Sequence, residues 1–401
     1  MVAITHHNKR IKGGQKMSKK LLSMLLGTAM VASLLTGCGS KPAETAAPAA
    51  DAATTTEAAP AADAAAPAAD AATPAAGGKV GVAMPTKDLQ RWNQDGSNME
   101  ASLKEAGYEV DLQYASNDVQ TQVSQVENMI NGGCSALVVA AIDGESLGEA
   151  MQMAKDANIP VIAYDRLIMN SDAVSYYATF DNYMVGTKQG EYIKDTLDLD
   201  NAAGPFTLEI TAGDPGDNNA NYFYSGAMDV LNPYIESGKL VVTSGQTDFA
   251  TVATALWATE TAQSRMENIL SSYYADGTKL DVCLCSIDST ALGVENALAA
   301  NYTGDYPIVT GQDCDIANVK NILAGKQSMS IFKDTRTLAA QVVKMVGQIM
   351  NNETVDVNDT KSYDNGTGVI PSFLCEPVFA DGSNYKELLI DSGYYTEDQL
   401  K

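Results

Sequence analysis

The chain has 401 residues, 45% hydrophobic and 7% aromatic, with 26 basic and 50 acidic side chains and a formal net charge of −24. Six of the lysines and arginines and none of the acids lie in residues 1–37, so beyond them 20 basic groups face 50 acidic ones, a balance of −30. A chain this acidic is unsuited to nucleic acid and to anionic membrane surfaces, and it disfavours large anionic substrates.

Met17-Ser-Lys-Lys followed by the apolar run Leu21 to Leu35 predicts a secretory signal, since fifteen apolar residues are too few to favour a membrane span. The run closes on Leu35-Thr36-Gly37-Cys38, which resembles the bacterial lipobox, where the signal is cut before a cysteine that then carries lipid. Ser40 to Gly78 is almost wholly Ala, Pro, Thr, Asp and Glu. Such a stretch cannot bury enough surface to offset chain entropy, and it reads as a flexible tether. Roughly 320 residues follow, more than one core usually holds, so two lobes are expected.

Val80 to Met84 reads as a strand buried on both faces and ended by Pro85. A helix with Met99, Leu103 and Ala106 on its near face follows, which puts Lys87, Arg91 and Trp92 on the loop or first turn beyond the strand's carboxyl end. In open α/β sheets ligands bind there. A guanidinium fork beside an indole face suits a small polar ligand with one apolar side, such as a sugar ring. Tyr108 to Tyr114 alternates as a half-wet strand, and Val119, Val123, Val126 and Ile130 mark an amphipathic helix. Ala136 to Ile142 is a buried strand, a helix runs from about Ser146 to Ala157, and Pro160 to Tyr164 is a strand that delivers Asp165 and Arg166 to the same edge as Arg91. Ser175 to Phe180 is another strand, and Asp181-Asn182 caps a helix to about Leu197.

The alternation then restarts. Strands are expected at Phe206 to Thr211, Lys239 to Thr243, Val282 to Ile287, Ile308 to Thr310 and Met329 to Phe332. Helices end near Tyr234, span about Thr254 to Tyr274 and Thr290 to Asn301, and end near Ala324. A last helix carries Leu338, Val342, Met345 and Ile349 on one face. The fold class is therefore α/β, two doubly wound parallel-sheet lobes joined by a hinge. Polar loops come after the second set of strands at Asp214-Pro-Gly-Asp217-Asn218-Asn219, Asp288-Ser289, Gln312-Asp313 and Lys333-Asp334. If the lobes face each other along these edges, their donors and acceptors converge on one cleft, with Trp257 as a second apolar wall.

Several chemistries are excluded. Gly144-Glu145-Ser146-Leu147-Gly148 matches a nucleophile elbow, but the only histidines, His6 and His7, precede the signal, so a Ser-His-Asp system and a His-ligated zinc site are impossible in the mature chain. No P-loop is present, and Asp195, Asp198, Asp200 and Asn201 lack the spacing of an EF-hand. Cys134, Cys283, Cys285, Cys314 and Cys375 match no disulfide framework or zinc pattern; Cys283 and Cys285 read as small core residues. No cofactor or metal is expected.

Taken together, the residues resemble the type I periplasmic binding proteins of sugar ABC transporters, in particular multiple-monosaccharide-binding proteins of the ChvE kind and xylose-binding proteins. The resemblance runs over nearly all of Lys79 to Lys401 and rests on Met84-Pro-Thr-Lys, Arg91-Trp92, Ile162-Ala-Tyr-Asp-Arg-Leu167, Tyr176-Tyr-Ala-Thr-Phe-Asp-Asn182, Asp217-Asn-Asn-Ala220, Ser244-Gly-Gln246, Gly311-Gln-Asp313, Ile331-Phe-Lys-Asp-Thr-Arg336 and the ending Gly393-Tyr-Tyr-Thr-Glu-Asp-Gln-Leu-Lys401. It implies a sugar in the interlobe cleft held by Arg91, Trp92, Asp165, Arg166, Asp217, Asn219, Trp257, Asp288, Asp313 and Lys333. Arg91, Arg166 and Lys333 would donate, Asp165, Asp288 and Asp313 would accept, and the two indoles would cover apolar sugar faces. The chain departs from the pattern in having Leu256 where such relatives usually place Arg before the tryptophan, and Ile287-Asp288-Ser289 where they often have Tyr-Asp-Gly.

The expected organisation is a signal segment (1–37), a lipid-anchored tether (38–78), an N-terminal lobe (79–181 and 315–352) and a C-terminal lobe (182–314 and 353–401). The expected function is that of a non-enzymatic, extracytoplasmic, monomeric lipoprotein anchored to the bacterial cell membrane through Cys38. It captures a monosaccharide of the xylose, glucose, galactose or arabinose class and delivers it to an ABC permease. The alternative is a sugar or autoinducer receptor for a signalling system. A sugar hydrolase would need a carboxylate pair, which Asp165, Asp288 and Asp313 could supply. A DNA-binding regulator of this architecture is removed by the lipobox and tether standing where a helix-turn-helix would be.

Overall fold

A computed structural model describes residues 77–401. The expected signal, Cys38 and nearly all of the tether lie outside the described residues.

The first run of elements is β1 Lys79–Met84, α1 Gln90–Glu105, β2 Glu109–Tyr114, α2 Val119–Asn131, β3 Ala136–Val139, α3 Gly148–Asp156, β4 Val161–Tyr164 and β5 Val174–Phe180. The chain then crosses to a second run: α4 Asn182–Thr196, β6 Phe206–Thr211, α5 Asn218–Glu236, β7 Leu240–Val242, α6 Phe249–Val252, α7 Thr259–Tyr273, β8 Val282–Cys285, α8 Asp288–Asn301, β9 Ile308–Val309, α9 Ile316–Leu323 and β10 Ser330–Phe332. It returns as α10 Thr335–Met350 and β11 Ser372–Cys375, and crosses a last time to β12 Val378–Ala380.

The first sheet has the order β11-β5-β4-β3-β1-β2, with every pair parallel. The second is β7-β6-β8-β9, also parallel, extended by β10, whose Ile331 N–H donates to Gly311 O at 3.1 Å. Strands 2-1-3-4-5 of each run therefore stand in the same order, a repeat of architecture that the sequence does not display as a repeat of residues. In this order the connections diverge between the first and third strands and leave a crevice at the strands' carboxyl ends.

Both faces of the first sheet are covered, as parallel strands require. Val80, Val82 and Met84 of β1 pack with Met99 and Leu103 of α1 and Leu338, Val342 and Met345 of α10. On the other face Ala83, Leu137 and Val139 meet Val126, Met129 and Met151. In the second lobe Cys283 and Cys285 are buried among Met266, Leu270 and Val294, the small core residues expected from their strand. Gly186 and Gly226 let α4 and α5 touch, because a Cβ on either would stand 2.0 Å and 2.2 Å from a carbonyl oxygen of the facing helix.

Three segments cross between the lobes, at 180–182, 332–335 and 375–378. Two of them end in capping aspartates: Asp181 accepts from Met184 N–H at 2.9 Å and Asp334 from Arg336 N–H at 3.0 Å, so each crossing runs straight into a helix. The crossings set the lobe membership and correct the expected boundaries. Residues 316–332 belong with the second lobe, since β10 is its fifth strand, and Val319 and Phe332 pack around Leu389, Tyr395 and Leu400. Only α10 and β11 return to the first lobe, and β11 pairs with β5, so 353–375 lie with the first lobe and not the second.

Candidate ligand-binding site

The cleft between the lobes is built from chain turns at the strands' carboxyl ends. Arg91, Trp92, Asp165 and Arg166 come from the first lobe, and Asp217, Asn219, Phe223, Trp257, Ile287, Gln312, Asp313 and Lys333 from the second. Together they line one hollow between the lobes.

Arg91 is the centre of the charge network. Placed in the first turn of α1, it is 6% exposed, and its three nitrogens go to three carboxylates. Nε donates to Asp95 Oδ2 at 3.0 Å, Nη1 to Asp313 Oδ1 at 3.1 Å, and Nη2 to Asp165 Oδ2. Lys333 Nζ reaches the same Asp313 oxygen at 3.1 Å, and Arg166 Nε pairs with Asp217 Oδ2 at 2.9 Å. Arg91 with Asp313 and Arg166 with Asp217 span the two lobes. Asn219 adds a third crossing contact, its Nδ2 donating to Asp165 O at 2.6 Å. The lobes are thus closed on each other.

Backbone geometry aims these groups. Asp165, Trp257 and Asp313 stand at φ +59°, +56° and +95°, in the left-handed region that side chains enter at a cost of about 1–3 kcal/mol. Such positions persist where surroundings over-determine them: the Asp165 carbonyl also accepts from Thr179 Oγ1 at 2.9 Å. Leu256, at φ +55°, and Trp257 break the helix expected from Thr254 onward, and α7 starts only at Thr259. That break turns the indole into the cleft, where its ring lies against Gly213 and edge-on to Phe223 at 6.2 Å.

Two side chains depart from their expected roles. The carboxylate of Asp288, fully buried, accepts from Gln327 Nε2 and Ser330 Oγ, both at 2.9 Å, and from Asp315 N–H at 2.8 Å. Its acceptor capacity is spent inside the lobe, and it does not line the cleft. The reason is position: Asp288 opens α8 and points at the loop behind Asp313. Trp92 does line the cleft, but its ring is flanked by the guanidiniums of Arg166 at 4.9 Å and Arg91 at 5.3 Å, so it orients two cations as well as forming a wall. The run Ala136 to Ile142 pairs as a strand only to Val139, and Ala141 O instead accepts from Arg166 Nη1 at 3.1 Å.

Sequence reasoning missed Phe223 and Asp95 and did not single out Gln312 as a contact. Phe223 is four residues from Asn219, and Asp95 four from Arg91, so i,i+4 neighbours on the two helices carried the signal. The indole Nε1–H of Trp257 and the side-chain oxygen of Gln312 find no partner among the described residues. A donor and an acceptor left open in the wall suit a polyhydroxylated ligand, since an unpaired buried polar atom costs about 1–3 kcal/mol.

Charge neighbours set the protonation states. Burial alone would raise Asp165, but Arg91, Lys333 and Arg166 outweigh it and hold its carboxyl below the usual range. At Asp95 burial prevails over Arg91 and pushes the carboxyl up to about 6. A folded pKa above the unfolded one means that Asp95 favours folding most below about pH 4 and loses that contribution as pH rises through 6. We expect Asp95→Asn to gain stability relative to the parent between pH 4 and pH 7, by up to about 3 kcal/mol in chemical denaturation. A difference constant with pH would show that Asp95 does not titrate there.

Comparison with known proteins decides the family. A family profile described as "Periplasmic binding protein domain" matches residues 80–354. The chain is a periplasmic binding protein. This binding protein is 52% identical over 328 residues to the "Multiple sugar-binding periplasmic receptor ChvE" of Rhizobium radiobacter, covering 81% of this chain and 92% of that one. It is 34% identical over 322 residues to the "D-xylose-binding periplasmic protein" of Escherichia coli K12, covering 80% and 92%. A crystal structure of an ABC transporter solute binding protein from Clostridium phytofermentans with bound beta-D-glucose is 76% identical, with a TM-score of 0.80, covering 80% of this chain and all of that one. The family is one of solute-binding proteins, not enzymes.

Proposed function

We propose that this binding protein captures one monosaccharide in the interlobe cleft outside the cytoplasm and presents it to an ABC permease. The observation that carries the reading is the convergence of Arg91, Asp165, Arg166, Asp217, Asn219, Asp313 and Lys333 from seven positions on one hollow walled by Trp257 and Phe223. Charged groups in a closed hollow give short, strong hydrogen bonds to hydroxyls, and the rings cover the sugar's C–H face. Arg91 and Lys333 donate to hydroxyl or ring oxygens, Asp165 and Asp313 accept, and Gln312 and the Trp257 Nε1–H complete the ring of partners. Closure is the signal to the permease: a surface formed by both lobes exists only when they meet, and ligand raises the population of that state. Glucose is the first ligand to test because the protein with 76% identity holds it. Titration calorimetry with D-glucose, D-xylose, D-galactose and L-arabinose is expected to give saturable binding of at least one aldose; no heat with any of the four would refute the reading.

The chain is further proposed to be a monomer anchored to the membrane by lipid on Cys38. Expressed with its full N-terminus, it should incorporate labelled palmitate and sediment with membranes, and Cys38→Ala should do neither. Label retained by the Cys38→Ala chain would count against the anchor.

A further inference from the structure

Beside the ligand cleft a second set of contacts joins the lobes, and none of it touches the hollow. Gln90, the first residue of α1, lies next to Arg91 but extends the other way. Its Nε2 donates to the hydroxyl of Tyr395 at 2.6 Å, and its Oε1 accepts from Ile316 N–H, the opening amide of α9, at 3.2 Å. Tyr395 is 3% exposed and anchored in the second lobe among Cys314, Val319 and Leu389. Its hydroxyl donates in turn to Cys314 O at 3.0 Å. One turn along α1, Gln94 Nε2 reaches the same hydroxyl at 3.3 Å, and Gln94 Oε1 accepts from Tyr394 OH at 3.1 Å.

The geometry ties these bonds to ligand entry. Arg91 and Asp313 are neighbours in sequence of Gln90 and of Cys314 to Ile316, and they form opposing walls of the hollow. The Gln90 bonds join the neighbours in sequence of Arg91 and Asp313, and they continue to the crossing at 332–335, where Tyr394 OH stands 3.2 Å from Thr335 Oγ1, so a hinge rotation that parts Arg91 from Asp313 works against them. Asp313 and Cys314 stand at φ +95° and +55°, so the loop that Tyr395 and Gln90 hold is one that would relax without support. The first helix has no side-chain cap of its own at Leu89, which leaves its opening residue free to serve the opposite lobe.

We infer that Gln90 and Tyr395 form a latch between the lobes that sets the closure equilibrium, and with it the affinity for every ligand of the cleft, without contacting the ligand. The inference rests on the monosaccharide reading of the cleft and adds its regulation. A latch of this kind acts on the competent population and scales all affinities alike, whereas a wall residue discriminates between ligands. Gln90 is thus a positioning residue, and its chemistry predicts which replacements keep function: the amide is needed at both ends, so Gln90→Glu loses the donor to Tyr395.

The test is calorimetry with D-glucose and D-xylose on the parent, Gln90→Ala, Tyr395→Phe and the double variant, with small-angle scattering of each in the absence of sugar. Each single variant is expected to lose about three- to tenfold in affinity, equally for both sugars, as for one or two buried hydrogen bonds. The double variant should lose less than the product of the two, because they share a bond. The sugar-free radius of gyration should rise in all three variants. Unchanged affinity in Tyr395→Phe, the most conservative change, or losses that differ between the two sugars, would overturn the latch. A parent protein that binds neither sugar would refute the ligand reading instead, and the sugar-free scattering would still decide whether the latch holds the lobes closed.

Discussion

Replacing Arg91 with alanine is expected to abolish measurable sugar binding and to destabilise the protein by about 3–5 kcal/mol, the range for removing one partner of a buried ion network. The cause is the set of carboxylates left behind. Asp95, Asp165 and Asp313 all bond to this guanidinium, and two of them have no other close cation at the same oxygen. Without it three acids crowd a site from which water is largely excluded, and their repulsion opposes closure. Arg91→Lys separates charge from shape. A lysine keeps the charge but offers its donors from one atom, and it cannot reach three carboxylates on three sides as Nε, Nη1 and Nη2 do. It should fold with a smaller penalty and still bind sugar at least about 100-fold more weakly. Equal affinity in Arg91→Lys and the parent, measured by calorimetry, would mean that the guanidinium fork does not organise the cleft.

The second large effect is expected at Gly213, a residue with no side chain to contact anything. A Cβ built there would stand 1.9 Å from a ring carbon of Trp257 and 2.1 Å from the next, so the indole must move or the strand end must shift. Overpacking of this kind costs about 1–3 kcal/mol. Because the ring forms a wall of the hollow, part of that cost should fall on ligand affinity, a loss that reaches about 150-fold only if the full ~3 kcal/mol does so. Trp257→Phe in the Gly213→Ala background should recover part of the loss by making room. Failure of the second change to recover anything would show that the contact between strand end and ring does not shape the cleft.

The alternation of strands and helices is legible in the sequence because buried parallel strands are continuous apolar runs and the helices between them have clear apolar faces. Val80 to Met84 and the Val119 to Ile130 helix fall where their pattern puts them. The polar residues of the cleft are legible by place more than by type: an Arg, Asp or Lys directly after a strand's carboxyl end stands at the sheet edge whatever its neighbours. Asp288 shows the limit of that rule. It occupies such a place, yet three donors from Gln327, Ser330 and the Asp315 amide draw it inward, and two of those donors lie about forty residues away in the chain. The break at Leu256 and Trp257 was hidden for a different reason, since neither residue type favours a left-handed backbone and only the surrounding packing imposes it. The lobe boundaries were misplaced because β10 and β11 are three- and four-residue strands whose sheet membership depends on partners distant in the chain.

The interlobe ion pairs also bear on specificity. Arg166 to Asp217 and Arg91 to Asp313 are made in the closed molecule, so they contribute to closure with any ligand that fits. Discrimination between sugars then falls to lining residues with polar atoms left unpaired, and the Trp257 Nε1–H and the Gln312 oxygen have no partner among the described residues. A site built to hydrogen-bond a hydroxyl rejects a ligand lacking it more strongly than a hydrophobic wall rejects one extra carbon.

The most direct test is a crystal structure of the protein grown with D-glucose. The account predicts one hexose ring in the cleft, with its hydroxyls within hydrogen-bonding distance of Arg91, Asp165, Asp313 and Lys333 and one face against Trp257 or Phe223. Sugar density on an outer surface, or a cleft that holds no sugar at saturating glucose, would contradict it.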